Sequence, residues 1–296
     1  MDRTKTLACL IVLTCAAGCS SSGSITVASK NFTEQVILGE ITAQHLEARL
    51  GRQVDRKLNL GGTLLVHQAL MNGEIDIYPE YSGTAMASIL KMSGGSAPDV
   101  IFQKIREAYR TGKQVEWLDP LGFNNSFAMV VTRQLAEGES LKTLSDAAKT
   151  DVAWKLGVGY EFQTRPDGLP ALNATYDLRL ASAAQVMDLG LLYRALEQGQ
   201  VNMIAANETD GFLSLDKFQV LQDDRNAFPP YEAALLVRQS TLERHPELKE
   251  ALSELSGKIS SETMRKLNYQ VDGLHQPVKA VAAGFLRDAG LANSKP

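Results

Sequence analysis

Residues 24–81 read SITVASKNFTEQVILGEITAQHLEARLGRQVDRKLNLGGTLLVHQALMNGEIDIYPEY, and the changes of periodicity along them decide the fold. "SITVASK" is a β-rich run. "NFTEQVILGEITAQHLEARLG" shifts to helical spacing, with Phe32, Val36, Ile37, Ile41 and Leu46 on one face. Asn31 or Thr33 is the expected N-cap and Gly51 the stop. "QVDRKLNL" returns to strand, "GGT" opens the helix "LLVHQALMNGE", and "IDIYPEY" is the next strand. A helix between successive strands argues an α/β lobe built on a largely parallel sheet.

Outward from this stretch the alternation continues. "SFAMVVTR" reads as a strand leaving the first unit, "SLKTLSDAAKT" as a helix and "VAWKLGVGYEF" as a strand opening into a loop. "AAQVMDLGLLYRALEQGQ" reads as an amphipathic helix, "VNMIAANETDG" as a strand ending in a turn, and "FPPYEAALLVR" as a strand returning to the first lobe. From "TLERHPELKEAL" onward, apolar residues at helical spacing predict helices packed on that lobe. The expected organisation is a leader at 1–18, a tether at 19–24, lobe one at 25–128, lobe two at 129–229 and a return to lobe one at 230–296. Two crossings make a hinge and leave a cleft between the lobes.

The ends and the composition bound the function. "MDRTKTLACLIVLTCAAGC" carries Arg3 and Lys5 before a short apolar run and small residues, the layout of a secretory leader. Its end resembles a bacterial lipoprotein processing site, which implies that Cys19 is acylated and tethered through "SSSGS". The three cysteines are Cys9, Cys15 and Cys19, so the domain after them has no disulfide and no thiolate nucleophile. Thirty basic and 34 acidic residues give a formal charge of −4, with no basic block to attract nucleic acid. His45, His67, His245 and His275 fall in separate segments, no GxSxG elbow is present, and "LGGT" lacks the lysine of a P-loop. An exported hydrolase is thereby disfavoured.

Strand ends carry the candidate site. "SKNFTE", "YPEYSGTA" and "AANETDG" are exits from strands into turns, and ligands of open α/β sheets sit at such carboxyl ends. Tyr81 stands at one of them, so its ring is expected to face the cleft. Tyr193, on a helical apolar stripe, is expected in the core, and Asp210-Gly211 is expected to shape a turn.

"SKNFTEQVILGEI", "GEIDIYPEYSGTA", "GFNNSFAMVV", "TRPDGLPAL", "ETDG" and "DDRNAFPPYEAALLVR" together resemble the substrate-binding proteins of ABC importers for glycine betaine, choline and related osmoprotectants. The resemblance spans nearly the whole chain after the leader. It implies a two-lobe periplasmic-binding-protein fold of type II-like α/β architecture, no catalysis and no cofactor. It implies a cage of aromatic rings for a quaternary ammonium group, at Tyr81, Phe127, Asn207 and Tyr231, with Asn207 where the family often has tyrosine. The ligand carboxylate falls to Arg165, supported by Thr84 and Lys30. The implied partners are a quaternary amine, an ABC permease with its ATPase, and the membrane through the Cys19 lipid, for a monomer held outside the cytoplasm. Alternative ligands are choline, carnitine or a histidine betaine such as ergothioneine, and an alternative role is a ligand sensor without a transporter.

The chemistry stands on its own. A trimethylammonium group has no N–H to donate, so hydrogen-bond acceptors cannot select it. The negative faces of aromatic rings can, at about 0.5–2 kcal/mol each. A guanidinium suits the other end because its fork matches a carboxylate.

Overall fold

The computed structural model describes residues 24–92 and 98–292. The expected leader at 1–18, and the tether up to residue 23 with Cys19, lie outside the described residues. In chain order the first lobe begins with β1 (Thr26–Lys30), α1 (Thr33–Leu50), β2 (Asp55–Gly61), α2 (Thr63–Asn72), β3 (Ile77–Tyr81), α3 (Ser82–Thr84), α4 (Pro98–Gly112) and β4 (Val115–Trp117). The second lobe follows with β5 (Phe127–Thr132), α5 (Arg133–Gly138), α6 (Leu144–Lys149), β6 (Leu156–Val158), α7 (Tyr160–Thr164), α8 (Leu169–Thr175), β7 (Gln185–Val186), α9 (Leu189–Glu197), β8 (Met203–Asn207) and β9 (Phe218–Leu221). The chain then returns through β10 (Ala233–Arg238), α10 (Gln239–Arg244), α11 (Glu247–Ser253), α12 (Ser261–Asp272) and α13 (Val278–Asp288).

Among the described residues the strands form two five-stranded mixed sheets, ordered β2-β1-β3-β10-β4 and β7-β6-β8-β5-β9. β1 runs parallel to β2 and β3, whereas β10 runs antiparallel to β3 and β4. The second sheet repeats the scheme, with β6 parallel to β7 and β8 and β5 antiparallel to β8 and β9. In each sheet the strand next to the parallel core arrives after a crossing between lobes. β5 pairs within the second sheet from Phe127 onward, two residues ahead of the division placed at 129. The crossing segments are stitched together. Asn124 Oδ1 accepts the Tyr231 N–H at 2.6 Å, and the Asn125 N–H donates to the Tyr231 carbonyl at 3.0 Å.

α1 shows how the sequence sets an element and where it misleads. Ile37, Ile41 and Leu46 are buried, and Gly51 ends the helix in the left-handed conformation at φ 65°, its N–H donating to the Glu47 carbonyl. The N-cap is Phe32, neither Asn31 nor Thr33, and no side chain caps it. Thr33 instead donates its hydroxyl to Asp272 of α12 at 2.6 Å, so a tertiary bond has displaced the local one. Helices α11, α12 and α13 pack on α1, as the apolar spacing predicted.

Other local readings are corrected. The run at 183–200 is not one helix: Gln185–Val186 is an edge strand beside β6, and only Leu189–Glu197 is helical. "LERHPELKEAL" is broken at His245 and Pro246 into α10 and α11, because the proline supplies no backbone N–H. "YSGTA" is not a plain turn; α3 continues into one wide π-helical turn over Ala85–Ile89.

Candidate ligand-binding cleft

A cavity of about 770 Å³ opens between the lobes, lined by residues from both sheets. All seven expected ligand residues, Lys30, Tyr81, Thr84, Phe127, Arg165, Asn207 and Tyr231, line it. β1 and β3 bring Lys30 and Tyr81 to their carboxyl ends, β8 brings Asn207 to its own, and α7 ends at Arg165. Phe127 and Asn207 lie directly opposite in the β5–β8 register.

The rings form two groups facing this one cavity. From the second lobe and the return crossing, the Phe127 ring meets Tyr231 edge to face at 5.4 Å, with Phe162 at 4.8 Å and Phe228 at 5.6 Å behind it. From the first lobe, Tyr81 stacks on Phe32 at 6.3 Å between centres and 22° between planes. Phe32, expected on the apolar face of α1, also reaches the cleft, and its place at a strand-to-helix exit is the signal for it. Gly83 makes the Tyr231 position possible. A Cβ there would stand 2.7 Å from the Tyr231 ring and 2.8 Å from the Pro230 carbonyl, so only glycine admits the approach. That explains the small residues after Tyr81.

The charged groups are held rather than free. Burial works against the Arg165 charge, but Asp167 takes Nε at 2.9 Å and Nη2 at 2.5 Å, and this fork keeps the guanidinium pKa above its ordinary value. Nη1 donates to Thr84 Oγ1 across the cleft at 3.1 Å. The same guanidinium lies 5.3 Å from the Phe127 ring centre and 5.6 Å from that of Tyr231. Tyr231 donates its hydroxyl to Asp167 at 2.7 Å, and burial first of all pushes its pKa well up. Asp167 therefore orients both Arg165 and Tyr231, a role the sequence reading did not assign it.

Lys30 lines the same cavity and is paired within its own lobe. The residue is 2 % exposed, its ammonium bonded to the buried Glu80 at 2.5 Å and standing 5.2 Å from the centre of the Tyr81 ring. Glu80 answers its charge, and the ammonium also lies against the Tyr81 ring. Glu161 of α7 reaches the opposite lobe, accepting from the Thr63 N–H at 2.7 Å and the Thr63 hydroxyl at 3.0 Å. It thereby caps the amino end of α2, where the helix dipole favours an anion. Burial raises the Glu161 pKa, yet the Lys30 charge, the Thr63 N–H and Arg165 outweigh it and hold the carboxyl below its usual range.

Among the described residues no group of three His, Cys, Asp or Glu side chains could hold a metal ion, and no helix is long and apolar enough to cross a membrane. Two sheets joined by two crossings, with a ring-lined and charge-paired cleft between them, define a protein that captures a solute.

The chain belongs to the OpuAC family, described as the substrate-binding domain of ABC-type glycine betaine transport systems, whose model matches residues 23–288. It is 33 % identical over 272 residues to a carnitine transport binding protein of Listeria monocytogenes, covering 91 % of this chain and 88 % of that protein. It is 33 % identical over 308 residues to a glycine-betaine-binding protein of Pseudomonas aeruginosa, covering 97 % and 94 %. A crystal structure described as a glycine betaine/carnitine/choline ABC transporter superposes with a TM-score of 0.76 at 29 % identity, over 91 % of this chain and all of that one. The protein is thus an extracytoplasmic solute-binding protein of the ABC-transporter class with a two-lobe periplasmic-binding-protein fold, and not an enzyme.

Proposed function

We propose that the protein captures a quaternary ammonium betaine, with glycine betaine first, and delivers it to a membrane permease driven by an ATPase. The observation that carries this reading is the shared cavity: rings Tyr81, Phe127 and Tyr231 converge on it with Arg165 and Thr84. In this reading the rings receive the methylated nitrogen. Arg165, oriented by Asp167 and touching Thr84 of the other lobe, receives the carboxylate. Both ends of the ligand are satisfied only when the lobes meet, so capture and lobe closure are one event, and the bound form is what the permease recognises. Acylation at Cys19 would hold a monomer at the membrane surface; radiolabelled palmitate incorporation, lost in Cys19→Ala, tests the anchor.

Asn207 and the size of the cavity favour a second reading, a longer betaine. Asn207 lines the cavity, and in this reading its amide takes the place of a fourth ring and offers hydrogen bonds to the body of carnitine or ergothioneine. Titration calorimetry with glycine betaine, choline, carnitine, ergothioneine and ordinary amino acids separates these cases. Micromolar binding of a quaternary amine supports the proposal. Tight binding of ordinary amino acids with no response to any quaternary amine overturns it.

A further inference from the structure

One buried carboxylate connects the cleft to both lobes and to the crossing between them. Glu34, in the first turn of α1, is 3 % exposed. Its Oε1 accepts from the Tyr81 hydroxyl at 2.7 Å and from Asn125 Nδ2 at 2.8 Å. Its Oε2 accepts from Asn268 Nδ2 at 2.9 Å and from the Thr209 hydroxyl. These four donors fill the sites a carboxylate offers.

The donors come from separate parts of the molecule. Tyr81 ends β3, Asn125 lies in the crossing from lobe one to lobe two, Thr209 follows β8, and Asn268 sits on α12. They are also tied to one another. Asn125 Oδ1 accepts the Thr209 N–H at 3.3 Å, and Asn268 Nδ2 donates to the Thr209 carbonyl at 2.9 Å. The turn that carries Thr209 also carries Asn207, whose N–H is held by Asp210 at 3.1 Å. Tyr81, Asn125 and Asn207 all line the cleft.

Burial pushes the Glu34 carboxyl pKa up against the pull of these hydrogen bonds, and a buried acid of this kind is costly compared with an apolar side chain of similar volume. Filling the core does not require it. Fixing the geometry of several segments at once does. We propose that Glu34 is a positioning residue for ligand capture: it orients the Tyr81 ring and locks the Asn207-bearing turn of the second lobe into the same frame, so that groups from both lobes meet one ligand. The Tyr81 hydroxyl is spent on Glu34, so it acts through this carboxylate and not on the solute. The ligand readout of this proposal rests on the quaternary-ammonium reading above.

The test uses the full chain with Glu34→Gln, Tyr81→Phe and the double variant. Each is titrated calorimetrically with glycine betaine, and each ligand-free chain is measured by small-angle scattering. Glu34→Gln and Tyr81→Phe are each expected to weaken binding about tenfold or more, and the double variant should lose less than the sum of the two singles, because the Tyr81–Glu34 bond is counted in both. Ligand-free Glu34→Gln is expected to show a larger radius of gyration than the wild type. Binding within about twofold of the wild type in folded Glu34→Gln, or losses that add fully in the double variant, would overturn the proposal. If Glu34→Gln does not fold, Tyr81→Phe carries the test, since it keeps the ring and deletes one donor: a tenfold loss supports the proposal and unchanged affinity overturns it. If the wild type binds no quaternary amine, the ligand reading has failed, and the scattering comparison alone decides Glu34, an unchanged radius overturning its role.

Discussion

The Arg165 guanidinium lies 5.3 Å from the centre of the Phe127 ring while its Nη1 donates to Thr84 of the opposite lobe at 3.1 Å. One side chain therefore touches a ring of its own lobe and a hydroxyl of the other. Its pairing with Asp167 fixes the direction of the fork without removing it from the cleft. In the proposed reading, a ligand carboxylate would meet there a guanidinium whose rotamer entropy is already spent.

That arrangement predicts a split between ligand classes. Arg165→Ala should weaken glycine betaine about a hundredfold and choline, which has no carboxylate, by less than about fivefold, as expected for loss of a charge-assisted contact. Calorimetric titration of both ligands against the same variant checks it. Equal losses for the two would remove Arg165 from the carboxylate's side.

Restoring a fourth ring should narrow the site. Asn207 faces Phe127 across the β5–β8 ladder. Asn207→Tyr is expected to tighten glycine betaine or choline about three- to thirtyfold, the worth of one further cation–π face. The same change should weaken carnitine or ergothioneine, whose bodies compete for that space. A parallel titration series reads both effects, and a uniform gain across all ligands would contradict the geometry.

Gly211 predicts a stability effect. A Cβ on it would stand 2.5 Å from the Tyr269 Cα on α12, backbone that cannot swing aside. Gly211→Ala should cost about 1–3 kcal/mol of stability, the range for overpacking a tight contact. Urea denaturation at constant m value measures it; a loss below about 0.5 kcal/mol would mean that α12 shifts freely against the second lobe.

His67 sets a pH dependence. Burial, reinforced by Lys113 and Lys30, lowers its pKa from 6.5 to about 4, and its Nδ1 is 3.3 Å from the Tyr78 hydroxyl. Between those two values the unfolded chain binds a proton that the folded chain does not. Stability must then rise with pH across about 4 to 6.5 and be lost as the solution is acidified through that window. His67→Gln is expected to flatten the slope of unfolding free energy against pH by about one proton between pH 4 and 6.5. An unchanged slope would show that the imidazole protonates as readily in the folded state.

Residue order alone carried the alternation of strand and helix, because a buried face repeats every two residues in a strand and about every 3.6 in a helix. It also carried the strand-end positions of Tyr81 and Asn207, and the Gly51 stop, which answers to a backbone conformation. The family motifs extended this to Phe127, Arg165 and Tyr231, and all of these side chains line one cavity. What residue order could not carry were relations between distant segments. The cap on α2 comes from Glu161, 98 residues away, and Lys30 is neutralised by Glu80, 50 residues away. Glu34 looks like an ordinary first-turn acid of α1, yet its partner Asn268 is 234 positions further on. A periodicity reports which face of an element is buried, but not what is packed against it. Only folding brings those partners within the roughly 3 Å at which a hydrogen bond forms, and there the folded structure settles whether a charge is free to meet a ligand or already engaged.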